Sequence, residues 1–273
     1  MGDFFISIQE LNERMARGEQ LRVFDVRRHQ ALEASSRFIP GSRWRNHLET
    51  ADWIGQLAPA TPVVVTCMHG HNVSQIAGAA LREKNVCAQV LSDGIEAWLE
   101  AGYPSIGQSQ LAPFDSRTES RWVSGLGAGI DASACGWLIR RFIDPDAALH
   151  FVEPEWVADV ADELGAIAFA PPESPLETPD NLCFFDMILQ FFDIKDAVLA
   201  DLAVIIRAAA TGPAGQAPES EGLRAVLGGI AARSTDDHQA VQLAAPVYDA
   251  LYARQALCGH GDGISRGRPH DKV

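Results

Sequence analysis

The chain has 273 residues, and 47% of them are hydrophobic, which is ordinary for a soluble protein of one large or two ordinary domains. No stretch approaches the ~20 apolar residues of a membrane span, and the first residues lack the basic and apolar segments of a signal peptide. The five cysteines are odd in number and widely scattered, which argues against a disulfide framework. We therefore expect a cytoplasmic protein, with no membrane partner, in which a thiol can stay free for chemistry.

The formal net charge of −14 is concentrated in the second part of the chain. Residues 1–106 carry 10 Lys and Arg against 12 Asp and Glu, whereas residues 107–273 carry 12 against 24. So acidic a second part argues against non-specific binding of nucleic acid or of anionic membranes. A small anion is not excluded, because a local pair of arginines can dominate the potential within a Debye length.

Strands and helices alternate through the first hundred residues. The predicted elements are helix 8–15, strand 21–25, strand 62–66, helix 74–84, strand 88–91 and helix 95–101. The first helix follows the capping-box pattern Ser7-Ile8-Gln9-Glu10 and ends near Gly18. Such alternation predicts an α/β domain, residues 1–106, with a parallel sheet flanked by helices.

Cys67 stands where the β-branched run 63–66 ends and a loop containing Gly70 begins. We expect Ser74 to open the alanine-rich helix that follows. Backbone N–H groups of such a loop and of the helix start would point at the sulfur and favour a thiolate. The alternative is a buried structural cysteine at the end of a core strand. The glycine and the helix start directly behind the sulfur favour the reactive thiol.

Four motifs across residues 1–106 resemble those of a rhodanese domain. In chain order they are Asp25-Val26-Arg27, Ile39-Pro40-Gly41, Cys67-x-x-Gly70 and Asp93-Gly94-Ile95-Glu96-Ala97-Trp98. The resemblance implies a sulfurtransferase in which Cys67 takes a sulfane sulfur from a small-molecule or protein donor and passes the persulfide to a thiol acceptor. It implies no cofactor. It further implies that the substrate loop consists of Met68, His69, Gly70, His71, Asn72, Val73 and Ser74.

Two positions of the loop depart from related families. Many rhodaneses have an arginine five residues after the cysteine, where this chain has Asn72, and this puts efficiency with an anionic donor such as thiosulfate in question. Cysteine phosphatases and arsenate reductases need an arginine six residues after it to clamp a tetrahedral oxyanion, and here that residue is Val73. We therefore reject a phosphatase.

Other side chains near the cysteine admit alternatives. Cys67, His69 and His71 alternate like metal ligands, but no fourth ligand accompanies them, so we predict no metal. The histidines either contact substrate and assist the thiolate or are exposed loop residues. Asp25 and Arg27 support the site, and their alternative role is an ion pair that braces neighbouring loops.

A second domain, residues 121–258, follows a polar linker, residues 107–120. Its predicted elements are helix 131–143, strand 149–152, helix 156–164, strand 166–169 and helices 184–192, 196–210, 220–232 and 237–257. Residues 171–180 are expected to form an exposed loop, and the polar, glycine-rich tail 259–273 is expected to be disordered. This pattern predicts a helix-rich α+β domain.

The second domain resembles the C-terminal domain of chromate-resistance ChrB proteins. The clearest match is Asp131-x-x-Ala134-Cys135-x-Trp137-Leu138-Ile139-Arg140-Arg141-Phe142-Ile143-Asp144-Pro145, and a weaker one is Cys183-x-Phe185-Asp186. Arg140 and Arg141 either bind an oxyanion such as chromate or are solvated or ion-paired. Cys135 lies on the apolar stripe of its helix and is expected in the core, as is Cys87 of the first domain.

Relatives carry acidic and histidine residues at positions that this chain fills with Asn181, Ala210, Gln242 and Leu243, so we expect any metal or proton-relay site there to be lost. The glycine-rich segment 125–129 is a further candidate for a loop near an anion. We favour an enzyme acting through Cys67. The alternative is a non-enzymatic sensor of an oxyanion, with the Cys67 loop as a sulfur carrier or sensor.

Overall fold

The computed structural model describes residues 3–55, 57, 60–107, 120–170, 182–212 and 217–258. The predicted tail 259–273, the predicted loop 171–180, Asn181 and most of the predicted linker therefore lie outside the described residues. Among the described helices, none is both long enough and apolar enough to cross a bilayer.

The first domain contains a parallel five-stranded sheet. The strands of this domain are β1 (Phe5–Ile6), β2 (Arg22–Asp25), β3 (Arg37–Phe38), β4 (Arg43–Trp44), β5 (Val63–Thr66), β6 (Ala88–Leu91) and β7 (Ile106–Gly107). Its helices are α1 (Ile8–Ala16), α2 (His29–Glu33), α3 (Thr50–Ile54), α4 (Asn72–Glu83) and α5 (Gly94–Glu100). The strand order is β1-β6-β5-β2-β4, and β3 pairs with β7 in a separate antiparallel ribbon. The predicted parallel sheet flanked by helices is confirmed.

Strand β5 is buried on both faces, as expected for a central strand of a parallel sheet. Val63 and Val65 face the core shared with α3 and α4, whereas Val64 faces the core shared with α1 and α5. This alternation follows from the two-residue period of a strand. Both layers of helix therefore fix the direction in which β5 delivers the next residue, Cys67.

The second domain is mostly helical around a small sheet. Its strands are β8 (Arg121–Gly125), β9 (Ala148–Val152) and β10 (Ile167–Ala168), paired in parallel in the order β10-β8-β9. Its helices are α6 (Ile130–Leu138), α7 (Val157–Leu164), α8 (Phe184–Phe191), α9 (Ala197–Ala210), α10 (Pro218–Arg233) and α11 (Asp237–Cys258). The predicted helix-rich domain is confirmed, and aromatic rings surround Trp137 at the centre of its core.

Polar contacts join the two domains. Arg22 at the start of β2 pairs with Asp146 at 2.5 Å, and Arg37 of β3 pairs with Asp193 at 2.6 Å. Further contacts are an ion pair between Arg43 and Asp144, a hydrogen bond from Gly41 N to Phe142 O at 2.7 Å, and a bridge between Ser105 and Lys195. The amino ends of β2 and β4 thus rest against the second domain.

Several local predictions are wrong. Helix α4 begins at Asn72, so Ser74 is its third residue and does not open it. The predicted helix 131–143 becomes a turn of π-helix after Leu138, with Asp144 N donating to Ile139 O, five residues back. It is also buried nearly all round, because α8, α9 and α11 pack against it. Cys87, expected in the core, is exposed.

A candidate active site around Cys67

Cys67 directly follows β5 at the carboxyl edge of the parallel sheet, and only 6% of it is exposed. Val26 N donates to Thr66 O at 2.8 Å, which places the loop after β2 beside the start of the cysteine loop. In open parallel sheets the carboxyl ends of the strands form the usual binding crevice. The nucleophile predicted from the sequence thus stands at the edge where chemistry is expected.

The start of helix α5 holds the cysteine loop by its carbonyl groups. Ile95 N donates to Cys67 O at 2.9 Å, and Glu96 N donates to Met68 O at 3.1 Å. Because a trans peptide group points its N–H opposite to its C=O, these bonds turn the N–H groups of Met68 and His69 away from α5. The loop therefore keeps these donors available on its other side.

Two glycines permit this close approach. Gly70 has φ +71°, and a Cβ there would lie 2.5 Å from Leu91 O. Gly94 has φ +66°, and a Cβ there would lie 2.4 Å from Met68 O and 2.5 Å from Cys67 O. Only glycine combines this left-handed backbone with the required space. The two glycines thus explain why the Cys67-x-x-Gly70 motif and the Asp93-Gly94 motif occur together in the sequence.

Ser74 lies closest to the sulfur. Its Oγ is 3.1 Å from Cys67 Sγ and donates to His71 O at 3.0 Å, and the residue is fully buried. Asn72, Val73 and Ser74 form the first turn of α4, whose N–H groups have no acceptor within the helix. Because Ser74 has one hydroxyl proton, it accepts from the Cys67 thiol while it donates to His71 O, and it stabilises a thiolate when this proton turns to the sulfur. The positive end of this helix also favours negative charge on the sulfur.

The two histidines of the loop lie at its rim. His69 Nε2 is 3.0 Å from Glu96 Oε2, and both side chains are more than half exposed. His71 and Asn72 are exposed as well, whereas Met68 and Val73 pack partly against the two cores. Among the residues that the structure describes, no group of three or more His, Cys, Asp or Glu side chains could hold a metal.

Asp25 and Arg27 form a buried ion pair. Arg27 Nε and Nη2 donate to Asp25 Oδ2 at 2.8 and 2.5 Å, and both side chains are 1% exposed. Arg27 Nη2 also donates to Arg37 O, its guanidinium lies 4.9 Å from the centre of the Phe38 ring, and its carbonyl accepts from Trp44 Nε1 at 2.8 Å. The pair therefore ties β3 and β4 to β2, which matches the bracing role considered from the sequence.

Sequence reasoning missed two basic residues at the same edge. Arg28 follows β2, and His47 follows the two-residue strand β4. Burial lowers the pKa of His47, and the positive charge of nearby Arg28 lowers it further. Among the described residues, Arg28 forms no ion pair. Both residues follow strands of the parallel sheet, and this position could have identified them. Strand β4, however, is too short to show a strand pattern in the sequence.

Arg140 and Arg141 do not join the Cys67 site. They lie instead beside Arg22 and Thr61, at the amino ends of β2 and β5. Arg141 is ion-paired with Asp249 at 3.4 Å and donates to a carbonyl of α1. The two arginines are thus differently engaged and do not form a matched pair.

Asp131 and Cys135 are buried polar groups of the second domain with structural partners. Asp131 accepts from Phe184 N and Phe185 N at 2.8 and 3.0 Å, and burial raises its pKa in spite of these bonds. Burial also raises the pKa of Cys135, with Asp131 adding to the effect, and Cys135 is fully buried as predicted. This thiol is therefore an unreactive core group.

The glycine-rich segment 125–129 holds an internal carboxylate. Gly127 N and Ala128 N donate to the two oxygens of Asp237 at 3.0 and 2.6 Å. The anion that this segment was expected to approach is therefore a side chain at the start of α11.

Comparisons with known proteins match both parts of the chain. Residues 7–101 match the family model of the rhodanese-like domain, and residues 122–255 match that of ChrB, C-terminal domain. Protein ChrB of Cupriavidus metallidurans is 31% identical over 133 residues, which are 48% of this chain and 40% of that protein. The match thus spans less than half of that relative.

The solved structures to which this chain is similar include rhodanese-related proteins. A rhodanese-related protein from Thermoplasma volcanium is 26% identical, with 38% of this chain and 97% of that one covered and a TM-score of 0.33. A rhodanese-like domain protein from Staphylococcus aureus is 19% identical, with 35% and 91% covered and a TM-score of 0.32. By the two family models, the chain carries a rhodanese-like domain, residues 7–101, followed by a ChrB C-terminal domain, residues 122–255.

Proposed function

We propose that this protein is a cytoplasmic sulfurtransferase that carries sulfane sulfur as a persulfide on Cys67. The Cys67 thiolate attacks the outer sulfur of a donor such as thiosulfate, the S–S bond of the donor breaks, and sulfite leaves with the bonding pair. An acceptor thiolate or cyanide then attacks the outer sulfur of the persulfide and regenerates the Cys67 thiolate. Each step is a two-electron displacement at sulfur and needs no cofactor.

The observation that carries this proposal is the arrangement of Cys67 in its loop. The sulfur stands at the carboxyl edge of the sheet, 3.1 Å from the Ser74 hydroxyl and beside the first turn of α4. Helix α5 holds the carbonyl groups of Cys67 and Met68 on the far side. A thiolate and the terminal sulfur of a persulfide both gain from such preorganised donors.

In this proposal Arg28 binds the anionic end of the donor in place of the missing loop arginine. Asn72 cannot pair with a sulfonate-like group, but Arg28 is a cation without an ion-pair partner among the described residues and follows the strand next to β5. Arg28→Ala should raise the KM for thiosulfate about tenfold and leave kcat nearly unchanged, because a charged hydrogen bond of this kind mainly aids binding.

The ChrB C-terminal domain supports a place for this activity in chromate resistance. The cytoplasm is proposed because exposed Cys87 and reactive Cys67 need a reducing compartment to remain thiols. The donor is a small molecule or a protein persulfide, and the acceptor is a thiol.

The test compares wild type with Cys67→Ser in thiocyanate formation from thiosulfate and cyanide, and in sulfide release from mercaptopyruvate and a thiol. Intact-mass spectrometry then looks for one added sulfur on the protein. Cys87→Ser is the matched control, since it removes an exposed thiol away from the proposed site. Wild type and Cys87→Ser should turn over and gain sulfur, and Cys67→Ser should do neither. Turnover that survives in Cys67→Ser would contradict the proposal, whereas a Cys67 persulfide without turnover would favour a sulfur carrier or sensor over an enzyme.

A further inference from the structure

A cavity of about 610 Å³ lies between the two domains. One wall comes from the first domain, including Arg22 and Thr61, and the other from the second, including Trp137, Arg140 and Gln242. Its volume falls within the ~300–1,000 Å³ typical of small-molecule sites. Both domains contribute residues to its wall.

The cavity is separate from the Cys67 site. Arg22 begins β2, and Thr61 and Pro62 directly precede β5, so the cavity borders the amino edge of the sheet. Cys67 follows the carboxyl end of β5, and the four residues of that strand span about 13 Å. A molecule in this cavity would therefore not be in contact with the sulfur.

Most charges on the cavity wall are already neutralised by neighbours. The pairs are Arg22 with Asp146 at 2.5 Å, Arg141 with Asp249 at 3.4 Å, and Glu19 with Arg14 at 2.7 Å. None of these three pairs leaves a full charge for a ligand, because each cation is already matched by a carboxylate.

Arg140 differs from these residues. Its Nε donates to Ala147 O at 3.2 Å, and among the described residues no carboxylate pairs with its guanidinium group. Partial burial lowers the pKa of Arg140 by desolvation. Arg140 thus presents an uncompensated positive charge and two terminal NH₂ groups that can hold an anionic group in a fork.

The rest of the cavity selects the size and character of the ligand. An inorganic oxyanion has about the volume of two or three waters, roughly 60–90 Å³, and would leave most of the cavity unfilled. Apolar side chains, among them Val241, Ala245 and Pro62, line part of the remainder, beside polar ones such as Gln20 and Gln242. We infer that the cavity binds a small organic anion, whose acidic group pairs with Arg140 and whose apolar body packs between the domains.

A bound ligand would act on the arrangement of the domains. Because both domains supply the walls, the site is complete only when the domains are docked against each other. A ligand bound there therefore stabilises the docked arrangement. This inference does not depend on sulfur transfer and concerns a second site at the other edge of the sheet.

Fluorescence titration of the full chain with anilinonaphthalenesulfonate, an aromatic anion, tests the inference. Wild type should bind one equivalent saturably, and Arg140→Ala should weaken binding about tenfold or more, because a charge-assisted fork is lost. Arg233→Ala, which removes an exposed arginine at the end of α10, should bind like wild type. Gln242→Trp keeps every charge but fills the cavity from the exposed side of α11, and it should also weaken binding.

Three ligand comparisons complete the test. Uncharged phenylnaphthylamine and inorganic sulfate should each bind wild type at least tenfold more weakly than the aromatic sulfonate. Cys67→Ser should bind the sulfonate as wild type does, since the two sites are separate. Equal binding of sulfate, equal binding of the uncharged analogue, unchanged affinity in Arg140→Ala, or lost binding in Cys67→Ser would each overturn the inference.

Discussion

Replacing Gly94 by alanine should destabilise the Cys67 loop by more than the cost of placing alanine in a left-handed backbone conformation. An alanine with φ near +66° costs about 1–2 kcal/mol from its backbone conformation alone. Its Cβ would also lie 2.4 Å from Met68 O and 2.5 Å from Cys67 O, so α5 and the loop must separate. The two hydrogen bonds that join them would weaken, at about 0.5–1.5 kcal/mol each. The expected loss is therefore about 2–5 kcal/mol.

Gly102→Ala is the matched control, because Gly102 has φ +72° and a Cβ added there would meet no atom within 4 Å. It should lower the free energy of unfolding only by the cost of the left-handed backbone conformation, about 1–2 kcal/mol. Urea denaturation gives the free energy of unfolding of both variants. Mass spectrometry gives the persulfide formed on Cys67 without urea, at a temperature where both variants are folded. Gly94→Ala should lose persulfide formation, and Gly102→Ala should keep it. Equal destabilisation by the two substitutions would refute the role assigned to close backbone packing.

Three further substitutions test individual contacts. Ser74→Ala removes the hydroxyl 3.1 Å from the Cys67 sulfur and should slow its alkylation by iodoacetamide about tenfold, because a hydrogen bond to a charged group is lost. Asp25→Asn leaves Arg27 buried without its counter-ion and should lower the free energy of unfolding by about 3–5 kcal/mol in urea titrations. Burial raises the pKa of Asp196 above 3.8, so the folded chain holds this proton more tightly than the unfolded chain. Wild-type stability should therefore fall relative to Asp196→Asn as the pH rises from 3.8 through the raised pKa, measured by urea titrations at several pH values.

Each of these has a matched control. Ser36→Ala changes an exposed serine and should leave alkylation unaltered. Glu13→Gln breaks an exposed pair with Arg17 and should cost less than about 1 kcal/mol. Asp201→Asn changes an exposed carboxyl on the helix that Asp196 caps and should show no comparable pH dependence. If a control variant showed the same effect as its test variant, the burial and contacts of the tested residue would not be the cause of that effect.

The position of the Cys67 site could be predicted because its signals are local. A β-branched run, a cysteine, a glycine and an alanine-rich segment are adjacent in the sequence. The run predicts a strand, the glycine a loop and the alanine-rich segment a helix. The role of Ser74 could not be read in this way. Its hydroxyl reaches Cys67 only because α4 begins two residues earlier, at Asn72, and helix starts are poorly defined by sequence.

Contacts between distant segments account for most of what the sequence did not show. Cys87 was expected in the core because it sits beside a predicted strand, but it is exposed just before β6. Arg140 and Arg141 are adjacent and alike in the sequence, yet Asp249 pairs with Arg141 alone. Such distinctions depend on the packing of α11 and α1 against the π-helical turn, and no local pattern encodes them.

The two edges of the first sheet have different neighbours, and this separates the two proposed sites. Arg22 and Arg43, at the amino ends of β2 and β4, form ion pairs with the second domain, whereas Cys67 follows the carboxyl end of β5. A ligand held by Arg140 therefore has no direct contact with the sulfur, and any influence must pass through domain docking or through β2 and β5. Because β5 is buried on both faces and packed closely, it deforms little. Control of the Cys67 site by such a ligand would thus act by fixing the position of the second domain, and measuring persulfide formation with and without the aromatic sulfonate in wild type and Arg140→Ala would reveal it.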